Sequence, residues 1–361
     1  MNILIDIAHP AHVHLVRNTY VELTKRGHSV YVTVKNIPSA ITLLEKYEIP
    51  FTYLGGKRDS LIGKAVLQFS YNLKVWWLVI TKKINIGFGT SVTIPHISKL
   101  SKMHAVILDD DDDDVEPLFV KYAHRYADVV LSPNCTKRLT KKGIPYKGYH
   151  ELAYLHPNRF TPDASVLKEI GMKEGDIYFV LRFNAFKAHH DIDVKGLSIE
   201  NKRKLINYLE KKGKVFITTE RNIDAEFIKY QLLLSPEKIH SLIYYSTMLI
   251  GDSQTMTSEA AVLGIPAVKC NTFAGKLSVP NELENKYQLC YSYLPEQSED
   301  FFTKINELLN EANVKLIFSQ NRERMLSDKI DVTAFYVWFI ENYPESKRMM
   351  KENPEFQNRF L

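Results

Sequence analysis

Short apolar runs alternate along the chain with longer segments in which apolar residues recur every three or four positions. The runs at residues 2–8, 129–132 and 178–183 are typical of strands that are buried on both faces of a parallel sheet. Segments 13–26 and 200–212 have the apolar spacing of helices that pack on such a sheet. The alternation predicts an α/β fold built of doubly wound parallel sheets.

The alternation is interrupted between residues 148 and 162, where two prolines and several aromatic residues follow no periodic pattern. The chain has 361 residues, a length for which about two domains are expected. We therefore predict two Rossmann-like domains, over residues 1–155 and 156–330, that face a central cleft. Residues 331–361 are predicted to form a helix that crosses back over the domains, followed by a mobile polar tail.

The most informative stretch is MLIGDSQTMTSEAAVLGIPAVK, residues 248–269, which predicts a strand, a tight turn and a helix. Free backbone N–H groups and the positive end of the helix dipole lie where that helix begins, so the turn is suited to bind a phosphate. One carboxylate, Glu259, follows about one helical turn later and could accept the ribose hydroxyls of a nucleotide. The backbone around the turn would hold the diphosphate at Ser253, Gln254, Thr255, Met256 and Thr257. The alternative is an ordinary strand-to-helix turn in which Glu259 is solvated.

Three histidines, His9, His12 and His14, lie in a predicted loop after the first strand. Active sites of doubly wound sheets lie outside the carboxyl ends of the strands, where this loop must be. A histidine there is suited to accept a proton near neutral pH. The alternative for each of the three is a structural role, in capping the helix or in packing.

Six consecutive aspartates, residues 109–114, follow a predicted strand at residues 105–108. Adjacent carboxylates repel, so such a run is solvated, binds a cation or faces a hydroxylated ligand. Their position at the end of a strand makes Asp109 and Asp110 candidate catalytic residues, and we expect the other four to be mainly solvated. A phosphotransferase that uses the run with a divalent ion is an alternative.

A polar loop, residues 184–196, follows the first strand of the second predicted domain. Arg182, Lys187, His189 and His190 could neutralise a diphosphate there. Together with Asp191, the two histidines could also bind a metal, but no fourth ligand is evident. We therefore expect neither a bound metal nor a cofactor.

Composition excludes several classes of protein. The net charge of +5 is spread along the chain without a nucleic-acid-binding motif, so we expect no nucleic-acid partner. Three widely separated cysteines favour a reducing compartment, and no stretch reaches the ~18 apolar residues of a membrane span. We expect a cytoplasmic protein. The aromatic helix predicted for residues 65–82, with lysines nearby, could contact a membrane surface peripherally; the alternative is a core helix with basic ends.

Several motifs resemble those of GT-B glycosyltransferases, which use nucleotide sugars as donors. SEAAVLGIPAV, residues 258–268, resembles the SExxAxGxP segment of the N-acetylglucosaminyltransferase that makes lipid II. The glutamate of that segment holds the ribose of UDP, and Glu259 occupies its place. HVHLVRNTYVELTKRGHSV resembles a GT-B pattern that places the base or acceptor-contacting histidine on His12. Asp109 and Asp110 fall where these enzymes bind their acceptor.

The stretch GDSQTMTSEAAVLGIPAV is also similar to a segment of UDP-N-acetylglucosamine 2-epimerases, but Gly89-Thr90-Ser91 stands where the epimerases have an aspartate. More closely, DIAHPAHVH, ELAYLHPNRFTPD and GDSQTMTSEAAVLGIPA resemble the family known as domain of unknown function 354, within the same superfamily. The resemblance implies transfer of a hexosyl or N-acetylhexosaminyl group from a nucleotide-diphosphate sugar, UDP-linked for preference. The acceptor would be a glycan or a lipid-linked molecule, as in polysaccharide biosynthesis. The alternatives are an epimerase or hydrolase of the same fold, or a non-catalytic nucleotide-sugar-binding protein.

Overall fold

The computed structural model describes residues 1–56, 61–138, 140–183, 196–219 and 223–361. The chain divides into two compact units. Unit 1 combines Met1–Arg159 with Asp328–Leu361, and unit 2 is Phe160–Ser327. Each unit contains a parallel sheet whose strands are connected by helices, so the predicted α/β fold with two Rossmann-like sheets is confirmed.

The secondary structure follows the predicted alternation of strands and helices. The strands are β1 Asn2–Ile7, β2 Ser29–Val34, β3 Phe51–Tyr53, β4 Ile86–Gly89, β5 His104–Leu108, β6 Val129–Pro133, β7 Gly143–Tyr146, β8 Tyr178–Arg182, β9 Lys214–Thr218, β10 Met248–Gly251, β11 Ala267–Cys270 and β12 Tyr291–Tyr293. The α-helices are α1 Pro10–Lys25, α2 Pro38–Lys46, α3 Leu61–Thr81, α4 Thr93–Ser98, α5 Pro117–Phe119, α6 Leu152–Leu155, α7 Ser165–Glu169, α8 Ile199–Leu209, α9 Ile239–Tyr245, α10 Gln254–Leu263, α11 Ser278–Asn285, α12 Ser298–Asn310, α13 Val314–Asp328, α14 Val332–Glu341 and α15 Glu345–Glu352. A π-helical turn covers Val120–His124, and short 3₁₀ helices cover Ala225–Tyr230, Pro236–Lys238, Pro295–Gln297 and Pro354–Phe360.

The order of the strands locates the edge at which ligands bind. In unit 1 the order is β3-β2-β1-β4-β5-β6-β7, and in unit 2 it is β12-β11-β10-β8-β9. Ile5 of β1 pairs with Val32 on one side and with Phe88 on the other, all in parallel. Chain order reverses at β1/β4 in unit 1 and at β8/β10 in unit 2. Ligands of such sheets bind outside the carboxyl ends of the strands at these switch points.

Helix α1 begins earlier than the sequence pattern predicts. Pro10 occupies its first position, and His9 caps it, because His9 Nδ1 accepts a hydrogen bond of 3.2 Å from the N–H of Ala11. Proline is favoured there because its fixed φ suits a helix and the first N–H has no partner within the helix. His12 and His14 therefore lie on the helix, which corrects the expectation that they belong to a loop.

The C-terminal tail is ordered and belongs to unit 1, so the prediction of a mobile tail is wrong. Helix α14 packs on α1 and α6. The N–H of Lys147 donates to Gln357 Oε1 at 2.6 Å, and the rings of Trp338 and Phe356 lie 4.8 Å apart. Scattered apolar side chains anchor the tail, although its overall composition is polar.

Helix α3 is the aromatic helix of the sequence analysis, and it begins at Leu61. One of its faces packs into the core of unit 1, as the core-helix alternative predicts, through Tyr71, Val75, Leu78 and Val79. Across the described ranges, α3 included, no helix combines the length and the apolar character that crossing a membrane requires.

Candidate active sites of the two units

The three N-terminal histidines have different surroundings. His14 is buried, stacks on Tyr154 with ring centres 5.6 Å apart and lies 3.3 Å from the hydroxyl of Tyr47. His9 is exposed at the start of α1. His12, one turn into the helix, keeps part of its surface accessible and is suited to contact a ligand.

His12 is neutral near pH 7. Burial lowers its pKa to about 3, assisted by the neighbouring His9 and His150 and opposed by Asp110. Its Nδ1 accepts a hydrogen bond of 3.4 Å from the N–H of Ala8, and this contact implies that the ring hydrogen is on Nε2. In that tautomer His12 donates through Nε2. His12 is therefore better suited to donate a hydrogen bond to the hydroxyl oxygen of a ligand than to remove the proton of that hydroxyl.

A buried carboxylate, Asp6, joins the carboxyl ends of the central strands in unit 1. Its Oδ1 accepts a hydrogen bond of 2.7 Å from Thr33, and its Oδ2 accepts from the hydroxyl of Ser91. Ser91 Oγ in turn accepts from the N–H of Thr93 at 3.0 Å. This network fixes β1, β2 and the start of α4 relative to one another beside the switch point.

Arg138 gathers the carboxylates that follow β5. Its Nη1 donates to Asp109 Oδ2 at 2.7 Å and to Asp113 Oδ1. Its Nη2 donates to the carbonyls of Asp109 and Asp111, at 3.0 and 2.7 Å. His124 Nε2 lies 2.8 Å from the same Asp109 oxygen. Asp109 is thus buried against a cation, and we assign it the role of positioning the loop.

The expectation that the aspartates after Asp110 are mainly solvated is wrong for Asp112 and Asp113, which are buried. Asp112 Oδ1 accepts a hydrogen bond of 2.6 Å from the N–H of Lys137. Asp113 is neutralised by Arg138, 25 residues later in the chain. Burial of these carboxylates is stable because partners distant in sequence supply the donors and the charge.

Asp110 pairs with His150, whose Nδ1 lies 3.1 Å from Asp110 Oδ1. Burial favours the neutral form of Asp110, but its attraction to His150 and their hydrogen bond outweigh burial and lower its pKa. Burial likewise opposes the charge of His150, but Asp110, Glu151 and Asp109 raise its pKa overall. The pair is therefore ionised near neutral pH. In the described structure, the buried Nε2 of His150 has no hydrogen-bond partner, which leaves a donor for a ligand.

Asp111 has the electrostatics of a general base. Burial raises its pKa to about 7, and the charges of Asp110, Glu116 and Asp109 add to the effect. Its side chain is partly accessible, and no ion pair of Asp111 is found within the described ranges. A carboxyl group with a pKa near 7 is suited to exchange protons at neutral pH.

Sequence reasoning did not single out His150, Arg138 or Asp111. His150 lies shortly after β7, a strand that was not predicted because Gly143 and Pro145 occur within its four residues. Proline is tolerated there because β7 is an edge strand. The sequence did offer one signal for His150: it stands next to Glu151, so two ionisable side chains are adjacent shortly after the edge strand β7.

Among the residues that the structure describes, two sets of side chains have ligand atoms close enough to hold an ion, and they share Asp109. One set adds Asp113 and His124, and the other adds Asp110 and Asp111. In the first set, Arg138 already supplies positive charge to Asp109 and Asp113. That the site works without a metal stays a prediction.

In unit 2, helix α10 begins at the carboxyl end of β10. Ser253 caps it: its Oγ accepts from the N–H of Met256 at 3.4 Å, and Thr257 Oγ1 donates to the Ser253 carbonyl at 2.7 Å. The first turn carries no acidic side chain, and Thr255 is exposed there. No acidic side chain of the first turn offsets the dipole of α10, which favours an anion at this end.

The close approach of β8 and β10 shapes the turn before α10. A Cβ added to Gly251 would lie 2.0 Å from the carbonyl oxygen of Arg182, so only glycine fits. The same carbonyl accepts the N–H of Asp252 at 3.0 Å. The side chain of Arg182 is partly exposed at the end of β8. The predicted contacts of His189 and His190 lie outside the described residues.

A buried lysine adds positive charge behind the start of α10. Lys269 of β11 donates to Oε1 of Gln254, and burial lowers its pKa to about 8. It therefore remains largely protonated at neutral pH. Asn271 Nδ2 donates to the carbonyl of Asp252 at 2.9 Å, which holds the end of β11 against the turn. Lys269 was not among the predicted site residues.

Glu259 lies one turn into α10 and is not a solvated helix residue. Its Oε1 is 3.0 Å from Nε2 of His240, and only 6% and 1% of the two side chains are exposed. The ring of Phe160 packs edge-on against His240. These contacts hold the carboxylate in a fixed orientation at the first turns of the helix.

Comparison with known proteins identifies the family of this chain. A family model described as protein of unknown function (DUF354) matches residues 1–344. An uncharacterized protein of Methanocaldococcus jannaschii, MJ0665, is 23% identical over 287 residues, which cover 75% of this chain and 82% of that protein.

Solved structures with similar folds include glycosyltransferases and epimerases. The spinosyn rhamnosyltransferase SpnG, complexed with spinosyn aglycone, matches with a TM-score of 0.64 and 12% identity over 95% of this chain and 100% of that chain. UDP-GlcNAc 2-epimerase from Neisseria meningitidis, bound to UDP-GlcNAc, matches with a TM-score of 0.61 and 12% identity over 90% of this chain and 100% of that chain. The fold is therefore that of GT-B glycosyltransferases and UDP-GlcNAc 2-epimerases.

Proposed function

The chain belongs to the DUF354 family, and we propose that it is a glycosyltransferase. It would move a hexosyl or N-acetylhexosaminyl group from a nucleotide-diphosphate sugar, UDP-linked for preference, to a glycan or lipid-linked acceptor. The start of α10 carries the proposal, because a first turn without acidic side chains is followed there by the oriented carboxylate of Glu259. Similar folds occur in a protein bound to UDP-GlcNAc and in a transferase complexed with an aglycone.

In the proposed donor site, the diphosphate contacts the backbone N–H groups of residues 253–257. Lys269 and the guanidinium of Arg182 add positive charge, and His189 or His190 would contribute if they reach the phosphates. Glu259 accepts hydrogen bonds from the ribose hydroxyls while His240 holds its other oxygen. The helix dipole and these cations stabilise the negative charge that develops on the leaving diphosphate.

At the carboxyl end of the sheet in unit 1, we assign the acceptor chemistry to His12 and Asp111. His12 Nε2 donates to the acceptor hydroxyl and orients it. Asp111 takes the hydroxyl proton as the acceptor oxygen bonds to the anomeric carbon and the bond from that carbon to the diphosphate breaks. Asp110 and Asp109 position this loop through His150 and Arg138. The pKa of Asp111, about 7, matches this task better than that of His12, about 3.

Product analysis separates a transferase from the other enzymes of this fold. Purified protein is incubated with UDP-, GDP- and dTDP-sugars, with and without glycan and lipid-linked acceptors, and the nucleotide sugars are followed by NMR. The proposal predicts release of the nucleoside diphosphate only when an acceptor is present, and loss of that release in Asp111→Asn. Conversion of the donor to an epimer, or its hydrolysis without acceptor, would contradict the proposal.

A further inference from the structure

Helix α3 exposes a continuous apolar face. While one face packs into the core, the opposite face leaves large side chains in solvent, including Phe69 at 63% and Trp77 at 65% exposure. We call this face the apolar stripe: Val66, Phe69, Leu73, Trp76, Trp77 and Ile80. The spacing of three, four and seven residues places all six on one side of the helix. Contiguous exposed apolar patches often mark interaction sites on protein surfaces.

The charged side chains of the segment that carries the stripe have one sign. Residues 61–108 contain six lysines and no aspartate or glutamate. Lys82 and Lys83 are exposed at the end of α3 and Lys102 is exposed after α4, whereas Lys99 is paired with Asp128 at 3.3 Å. Trp76 Nε1 donates to the carbonyl of Leu100 at 3.2 Å, which brings that exposed segment beside the stripe. Exposed lysines therefore lie in the same segment as the apolar stripe, and this segment carries no acidic side chain.

We propose that the apolar stripe and its lysines bind the surface of a bilayer that contains anionic phospholipids. Tryptophan and phenylalanine flanked by lysine are the side chains that favour the boundary between headgroups and acyl chains. Anionic headgroups attract the lysines, and the absence of acidic residues from this segment limits the repulsion that would oppose such binding. Helix α3 would lie in the plane of the interface.

The stripe starts close to the switch point of unit 1. Gln68, next to Phe69, donates to Thr93 Oγ1 at 3.0 Å, and the N–H of Thr93 donates to Ser91 Oγ. A bilayer on this face would deliver an amphiphilic acceptor to the end of the sheet that carries Asp6 and Ser91. This last point rests on the proposed function, whereas bilayer binding itself does not.

Vesicle flotation without any substrate tests the proposal. The full chain is mixed with vesicles of phosphatidylcholine alone, or of phosphatidylcholine with phosphatidylglycerol, and the bound fraction is measured at low and high salt. We expect binding to the anionic vesicles that weakens with salt. We expect Phe69→Ser with Trp77→Ser to weaken this binding by about tenfold or more, because each removes a buried aromatic contact with the bilayer.

Matched variants separate the stripe from general surface effects. Leu233→Ser with Leu316→Ser removes exposed apolar side chains of unit 2 and should leave binding unchanged. Lys82→Gln with Lys83→Gln should weaken binding to anionic vesicles more than Lys168→Gln with Lys173→Gln, which changes exposed lysines of unit 2.

A second readout is intrinsic fluorescence, because Trp76 and Trp77 are two of the three tryptophans in the chain. Insertion of the stripe should shift the emission of the wild type to shorter wavelength when anionic vesicles are added. The double variant Trp76→Phe with Trp77→Phe should show no such shift. Failure of the wild type to float, or equal flotation of the stripe variant, would overturn the proposal. So would a concentration-dependent dimer that Trp77→Ser abolishes, since the stripe would then bind a second copy of the chain.

Discussion

Arg138 is the cation on which the carboxylates after β5 depend, and its replacement by glutamine should strongly destabilise unit 1. The guanidinium contacts the side chains of Asp109 and Asp113 and the carbonyls of Asp109 and Asp111. The exposed fractions of the three side chains are 8% for Arg138, 6% for Asp109 and 1% for Asp113. Solvent therefore cannot replace the guanidinium when it is removed.

The burial of these groups sets the magnitude. Removal of one partner from a buried ion pair costs about 3–5 kcal/mol, because the remaining charge is left without compensation. A change of 1 kcal/mol shifts the melting temperature of a unit of this size by about 2–4 °C. We therefore expect Arg138→Gln to lower the melting temperature of unit 1 by roughly 6–20 °C.

Differential scanning calorimetry measures this change, and Arg203→Gln provides a matched control in unit 2. Arg203 donates twice to the carboxylate of Glu226, but these two side chains are 52% and 40% exposed. Exposed pairs of this kind are screened by water and contribute little. Equal melting temperatures for the two variants would refute the view that burial makes the Arg138 cluster structural.

Three further predictions concern the sites. Asp110→Asn should reduce stability most between about pH 4 and 6.5, because the wild-type pair loses its effect as Asp110 protonates at lower pH and as His150 deprotonates at higher pH. Denaturant titrations across pH measure the difference in unfolding free energy between wild type and variant, and a difference that does not change with pH would contradict this prediction. Glu259→Ala should lower the free energy of unfolding by about 1–3 kcal/mol, because His240 loses its buried partner. Glu259→Gln keeps a hydrogen-bond acceptor and should lower it less, and equal losses for the two variants in urea unfolding would count against the pairing of Glu259 with His240. Gly251→Ala should lower the free energy of unfolding by about 3 kcal/mol or more and speed hydrogen exchange at the start of α10, because the new Cβ would meet the carbonyl of Arg182 in β8. An exchange rate in the variant equal to that of the wild type would exclude the clash.

The sequence predicted the fold because burial is periodic in most of its elements. Central strands such as β5 and β10 are short apolar runs, and α10 ends at Gly264, a glycine with φ of 77°. The edge strands β7 and β12 escaped prediction because Pro145 interrupts the first and the second is short and only partly buried.

The candidate sites were predictable only where the residues that form them are neighbours in sequence. Ser253, Glu259 and the residues between them lie on one turn and one helix, so their spacing alone indicates a site. The partners of the aspartates after β5 do not follow from spacing: Arg138 and His150 reach them through the topology of the sheet. A run of carboxylates therefore looked solvated although part of it is buried.

The most direct test of the central claim is isothermal titration of the protein with UDP, GDP, CDP and dTDP, with Glu259→Gln alongside the wild type. The account predicts that one nucleoside diphosphate binds the wild type and that the variant binds it with an affinity lower by about tenfold or more, because the carboxylate accepts the ribose hydroxyls. At ~100 times its dissociation constant, that nucleotide should stabilise the wild type by about 2.7 kcal/mol. Absence of binding by every nucleotide, or equal binding by wild type and variant, would contradict the account.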